Sequence, residues 1–274
     1  MAPSSGSKVA LGAAVALCWL SAAPVSAQLR LAHAFGDHMV LQRDQPVRIF
    51  GFGGKDGQRV VVRFAKQEEV AICSADGAFA VTLAPLTASH EGRTLVVQAE
   101  GAPDVAIHDV LVGDVWLCSG QSNMAFGLGG CDAAADVAAA DLPLVRYRPY
   151  FEHFAGDPQQ DLRDGPSWQR VSPQTAPNCT AVGFYFARAV QSVVDVPIGL
   201  LTCTVGGTEI ECWMPPRAFA DYPANAAIGA ERERRIAEWQ RALAAAVPAV
   251  EAWAASAKEA AAKGVRIPPA PLDR

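Results

Sequence analysis

The sequence predicts a mixed α/β protein in which a small antiparallel β-sandwich precedes a parallel, helix-covered sheet. Two observations carry this. Between Val47 and Asp109 the chain is a succession of short alternating or β-branched runs broken by turn residues, with no helical period between them; that spacing is the pattern of an antiparallel sandwich. After Val110 the order becomes strand, turn and helix, with apolar runs of the kind that parallel strands show when both faces are covered. The implied division is 28–109 for the sandwich and 110–274 for the α/β part, with 1–27 set apart as a leader.

The leader carries Lys8, an apolar run from Val9 to Leu20, and Val25-Ser26-Ala27, which places small residues where a signal peptidase reads them. Cleavage near Ala27 and export to a periplasm or the medium are expected. Leu17 stands before Cys18 where a lipid-anchored leader wants a small residue. No segment reaches the ~20 apolar residues of a spanning helix, so no membrane insertion is expected.

In the sandwich the expected strands are Val47–Phe52, Arg59–Phe64, Glu68–Cys73, Ala78–Leu83, Thr94–Gln98 and Val105–Val110, punctuated by Gly53-Gly54-Lys55-Asp56-Gly57 and Asp76-Gly77. Val110–Ser119 then reads as a parallel strand buried on both faces. Asp132–Ala140 reads as a helix entered through an acidic turn. Val182, Tyr185, Ala189 and Val193 recur at helical spacing across Thr180–Val194, and Ile198–Val205 gives a second parallel strand. From Ala230 on, Ile236, Trp239, Leu243, Val247, Val250 and Trp253 mark an apolar stripe on a long helix, expected to be a packing face and to kink at Pro248. Val265 to Arg274 is Pro-rich without a further strand, so the chain reads as stopping in mid-domain.

The composition excludes some functions. Lys and Arg total 23 against 28 Asp and Glu in 274 residues, with no basic cluster interleaved with aromatics, which argues against a nucleic-acid partner. Beyond the leader lie Cys73, Cys118, Cys131, Cys179, Cys203 and Cys212. Export permits disulfides, but Cys118 and Cys203 fall inside strand-like runs, so at most one or two bridges are expected. No Cys-x-x-Cys or paired histidines offer metal spacing; no metal and no cofactor are expected.

The chemistry concentrates where Asp114-Val-Trp-Leu-Cys-Ser-Gly-Gln-Ser-Asn-Met124 runs a short apolar strand into a small-residue turn presenting Ser122. A hydroxyl at a strand end before a helix has backbone N–H groups nearby that can hold an oxyanion, as acyl transfer requires. The bland reading is a helix-capping serine. Gly120-Gln121-Ser122-Asn123-Met124 has Met124 where a nucleophile elbow needs its second glycine, which argues against an ordinary α/β-hydrolase. Strand ends carrying Ser122 and Gly207 would face one edge of the sheet, where open α/β folds bind ligands.

The stretch from Gly113 to Met124 resembles the first block of the sialate O-acetylesterase family, a branch of the SGNH hydrolases. Val196-Pro-Ile-Gly-Leu-Leu201, followed by Gly206-Gly-Thr-Glu-Ile-Glu-Cys-Trp213, resembles the second block in the same order. Phe35-Gly-Asp-His-Met-Val-Leu-Gln-Arg43 resembles the start of the family's amino-terminal β-domain, so the resemblance covers roughly residues 29 to 220.

The resemblance implies an SGNH-type three-layer α/β/α domain, incomplete here, and hydrolysis of acetyl esters on sugars through a serine acetyl-enzyme. Ser122 would be the nucleophile, and the N–H groups of Ser122 and Gly207 the oxyanion hole. Gln121, Asn123, Glu211 and Trp213 would contact the sugar. Val205 and Cys212 depart from the family's usual Trp and Ala. The family's Gln-Gly-Glu and Asp-x-His-Pro-type blocks are missing from this chain, so the acid and base are expected beyond Arg274. His33, His38, His90 and His108 precede Ser122, and His153 sits in a connector where a surface role is expected. The rival reading is a secreted, non-catalytic carbohydrate-binding protein on the same scaffold. The sequence leaves open whether the ester sits on a sialic acid or a plant polysaccharide.

Overall fold

The computed structural model describes residues 29–149, 155 and 158–271. The leader at 1–27 and His153 lie outside the described residues.

Seven strands open the fold: β1 (Arg30–Leu31), β2 (Val40–Gln42), β3 (Val47–Phe52), β4 (Arg59–Phe64), β5 (Gln67–Ile72), β6 (Phe79–Leu83) and β7 (Ser89–Ala99). Their period-2 pattern explains their pairing. In β6, Phe79, Val81 and Leu83 point inward while Ala80 and Thr82 are exposed. β1, β3 and β6 form an antiparallel three-stranded sheet; β4, β5 and β7 belong to a larger one. Ile49, Val62, Phe64, Leu83, Leu95 and Val97 meet in one core cluster.

β8 (Val105–Gly120) runs across position 110. Its first half pairs antiparallel with β7; from Asp114 to Gly120 it pairs parallel with a later strand, so the two parts of the molecule share a strand. Three short helices and two strands come next: α1 (Ser122–Ala125), α2 (Ala134–Ala138), β9 (Leu142–Arg148), β10 (Gln169–Val171) and α3 (Ala181–Val194). β11 (Ile198–Thr204) closes the sheet, whose order is β10-β9-β11-β8-β7-β4-β5, with β2 beside β8. α4 (Pro216–Asp221) and α5 (Ala226–Ala262) follow.

The structure corrects the sequence reading at several points. Among the described residues four strands pair in parallel, β2, β8, β9 and β11, rather than the expected two, β8 and β11. β9 escapes detection because its Arg146 and Arg148 look like surface residues, yet both are 3% exposed. α2 is a short turn of helix within the longer stretch expected. β8 is not covered on both faces: Trp116 is 44% and Leu117 68% exposed. Their neighbour Cys118 lies under α3, beside Gly183, in the cluster formed with Phe184, Val145, Ile198 and Leu200. α3 is thus the helical layer on one face, and Leu117 points to the other. α5 continues as a helix through Pro248. It packs on α4 near its start, where Gly229 lies against Phe219, and its stripe is not a packing face: Trp239 is 63% exposed, with Leu243 and Val247 also open.

All six described cysteines are free thiols. Among the described residues no cluster of ligating side chains has the makings of a metal site, and no helix is long and apolar enough to cross a membrane.

Candidate active site

The site grows out of the register of two strands. β8 and β11 run parallel with Gly120 opposite Thr204, so both chains leave the sheet at one edge and turn there together. The Val205 N–H donates to the Gly120 carbonyl at 3.0 Å, carrying the pairing one step past the strand. Gly120 has φ 142°, a conformation that side-chain-bearing residues avoid, and this lets the chain turn straight into α1.

Ser122 is the first residue of α1 and is exposed. Its backbone N–H, at the first position of the helix, takes no backbone partner from the helix. Met124 and Ala125 donate to the Gln121 carbonyl at 2.9 and 3.0 Å, closing the turn. The Gln121 side chain accepts from both the Ser122 N–H (3.4 Å) and the Ser122 hydroxyl (3.2 Å). These are long bonds and therefore weak.

Opposite stands the loop after β11. A Cβ on Gly206 would lie 3.4 Å from Ser122 Oγ, so Gly206 lets the two loops meet. Sequence reading singled out Gly207 and passed over Gly206, although the adjacent pair of glycines was the signal. Gly207 has φ 73° and open space around its Cα. Thr208 stitches the loop together: its hydroxyl donates to the Val205 carbonyl (2.8 Å) and accepts from the Trp213 indole (2.9 Å). Trp213 is thereby fixed beside the loop, half-buried, as is Glu211, while Asn123 is exposed on α1. Gln121, Ser122, Asn123 and the Gly206–Trp213 loop are thus gathered at one sheet edge. Beneath them Thr204 is 3% exposed, and its hydroxyl has no hydrogen-bond partner among the described residues.

Among the described residues no histidine or carboxylate bonds to Ser122. His33 pairs with Asp161 (2.8 Å) and His38 with Asp109 (2.7 Å). His90 meets the Asp195 carbonyl, and His108 the Thr94 hydroxyl. The His38–Asp109 pair has the form of a base and its orienting acid, but Asp109 lies roughly 35 Å back along β8 from Gly120 at strand rise. Cys118 and Cys179 offer no rival nucleophile: burial pushes the Cys179 thiol up to about 12, with Cys118 adding to it, and burial raises Cys118 as well.

Comparison with known proteins bears on this edge directly. Residues 112–243 match the family model described as carbohydrate esterase, sialic acid-specific acetylesterase. Sialate O-acetylesterase of Mus musculus is 28% identical over 210 residues, covering 69% of this chain and 38% of that protein. Its Homo sapiens counterpart is 25% identical, covering 69% and 39%. The crystal structure of a carbohydrate acetylesterase from Xanthomonas citri superposes with a TM-score of 0.67 at 34% identity, over 70% of this chain and 44% of that one. The chain therefore spans less than half the length of the relatives it matches. The matched window holds Ser122, both glycines and the loop to Trp213. Through residues 112–243, this chain matches the sialic acid-specific acetylesterase family of carbohydrate esterases, and the relatives it resembles are sialate O-acetylesterases and a carbohydrate acetylesterase.

Proposed function

We propose that the protein is an exported carbohydrate O-acetylesterase in which Ser122 attacks the acetyl carbonyl of a sugar ester. The sugar hydroxyl leaves, and water then releases acetate from the acetyl-enzyme. The observation that carries this is the meeting of Ser122 with Gly206 across the β8 and β11 strand ends, inside the family window. The Ser122 and Gly207 N–H groups are the proposed oxyanion donors, for which the Gln121 side chain must release Ser122; bonds of 3.2–3.4 Å are weak enough to exchange. Asn123, Glu211 and Trp213 border the site, and an acetylated sugar is the proposed substrate. Backbone donors suffice to stabilise an ester's oxyanion, so the reading calls for no metal or cofactor.

Serine needs a base to take its proton. We place that base outside the described residues, since all four described histidines are engaged elsewhere. Export rests on the apolar run Val9–Leu20 and the small residues before Gln28. In the natural full-length protein, Ser122→Ala is expected to cut acetate release from an acetylated sugar by about a thousandfold or more while leaving the melting curve unchanged. Activity retained at more than a few percent would remove Ser122 from its role.

The missing contact to a base also favours a second reading, a carbohydrate-binding protein without catalysis. Sugar binding with no serine-dependent acetate release in the full-length protein would select it.

A further inference from the structure

We propose that α5 is a self-association surface through which two copies of this chain pair as antiparallel helices. On α5, heptad spacing places Ile236, Trp239, Leu243, Ala246, Val250 and Trp253 at successive seam positions. Of the flanking residues, Gln240, Ala242, Val247, Ala249 and Ala254 carry no charge, and Arg235, at the end of the row, faces Ala254 of the other copy. Glu238, Arg241 and Glu251, and also Pro248, fall on the outer face. The seam positions themselves are all apolar, yet Trp239 is 63% and Leu243 45% exposed.

The seam also fits itself. Laid antiparallel about the midpoint of Ala244 and Ala245, each copy sets Leu243 against the other's Ala246, Trp239 against Val250, and Ile236 against Trp253. Each larger side chain meets a smaller one, the alternation that lets layers interdigitate. No like charges oppose one another at the flanking positions, so a second copy meets no repulsion there.

The size of the face sets the strength. After α5 the chain folds back along it: the Val265 N–H donates to the Ala260 carbonyl, and the Trp253 indole donates to the Pro268 carbonyl at 2.8 Å. The open seam therefore ends at Trp253. From Ile236 it is about 27 Å long, and one side of a helix of that length presents about 470 Å². Two such faces bury about 900 Å², in the range of weak, transient interfaces. A weak, reversible dimer is the expected result.

Sedimentation equilibrium on the natural full-length protein, from low to high micromolar, should show the apparent mass climbing towards twice the monomer. Leu243→Lys and Ala246→Glu, both on the helix surface, should each keep the wild-type circular dichroism and melting curve and weaken the dimer at least tenfold. Mixing the two variants should restore it, because in this register position 243 of one copy faces position 246 of the other and the introduced charges are opposite. A wild-type protein that stays monomeric throughout overturns the proposal. So does a dimer indifferent to Leu243→Lys, and so does failure of the mixed variants to pair, which would mean that 243 and 246 do not face each other.

Discussion

Asp109 sits with φ 56° at the bend in β8, and one of its carboxylate oxygens takes hydrogen bonds from His38 (2.7 Å), Arg146 (2.5 Å) and Arg170 (2.7 Å). Burial alone would raise its pKa, but the hydrogen bonds from Arg146, His38 and Arg170 outweigh that and hold the carboxyl far below the usual carboxylate range. Arg146, nearly fully buried, has its own pKa lowered by burial; arginine nonetheless keeps its proton, so the pair is ionic. A depressed carboxylate pKa contributes stability that is fully present above the unfolded value near 4 and is lost as pH falls towards the folded value. Asp109→Asn keeps the shape and tolerates the left-handed backbone, so it isolates the charge. It should cost about 3 kcal/mol at neutral pH, the penalty of leaving a buried cation unpaired, and the loss should shrink as wild type is taken below pH 4. Thermal melts of both proteins across that range measure it; equal melting temperatures at pH 7 would show that the clasp contributes nothing. Nothing in the sequence pointed to Asp109, because its partners come from β9, β10 and the loop before β2.

At the scale of elements, legibility followed the hydrophobic period. α3 and β11 were readable to within a residue or so because each buries an apolar face against the other. β9 was not, because Arg146 and Arg148 are buried there and polar spacing hid the strand. The stripe on α5 was equally plain, but a stripe says only that a face is apolar, not what covers it. The site was legible for a different reason: turn chemistry at Ser122 and at the two glycines is local. That locality makes a sharp test at Gly207. Its φ of 73° forbids a β-branched residue, while the open space around it would admit a side chain. Gly207→Val should therefore lose about 1–2 kcal/mol through backbone strain, whereas Gly207→Asn, at home in the left-handed region, should melt close to wild type. In the full-length protein Gly207→Val, whose strain displaces the Gly207 N–H, should lower kcat more than it raises KM if that N–H meets the oxyanion, while Gly207→Asn, which keeps the backbone and its N–H, should retain most of kcat. Val at full kcat would make Gly207 a turn residue and nothing more.

At the scale of the whole molecule the two halves are one body. β8 threads both, Arg43 forks onto Asp114 at 2.8 and 3.1 Å, and Trp168 buries itself in the core of the first half, its indole donating to the Ala34 carbonyl. This union fixes Ser122 but leaves an edge uncovered. Among the described residues, β8 from Asp114 on pairs only with β11, since β2 and β7 reach no further than Gly113. Beside that bare edge, Trp116 stacks edge-on to Phe186 at 4.9 Å, with Val182 and Phe186 exposed near it and Leu117 exposed on the opposite face. An open strand edge rimmed with apolar side chains recruits other edges. Expressed as residues 28–274, the chain should therefore aggregate in proportion to concentration, and Leu117→Lys should raise its soluble fraction. It should also hydrolyse an acetyl ester no faster than its own Ser122→Ala variant, because among its described residues Ser122 Oγ bonds only to Gln121. Acetate release by this segment that vanished with Ser122→Ala would mean that a base lies within it, and His153, outside the described residues, is the histidine to mutate first.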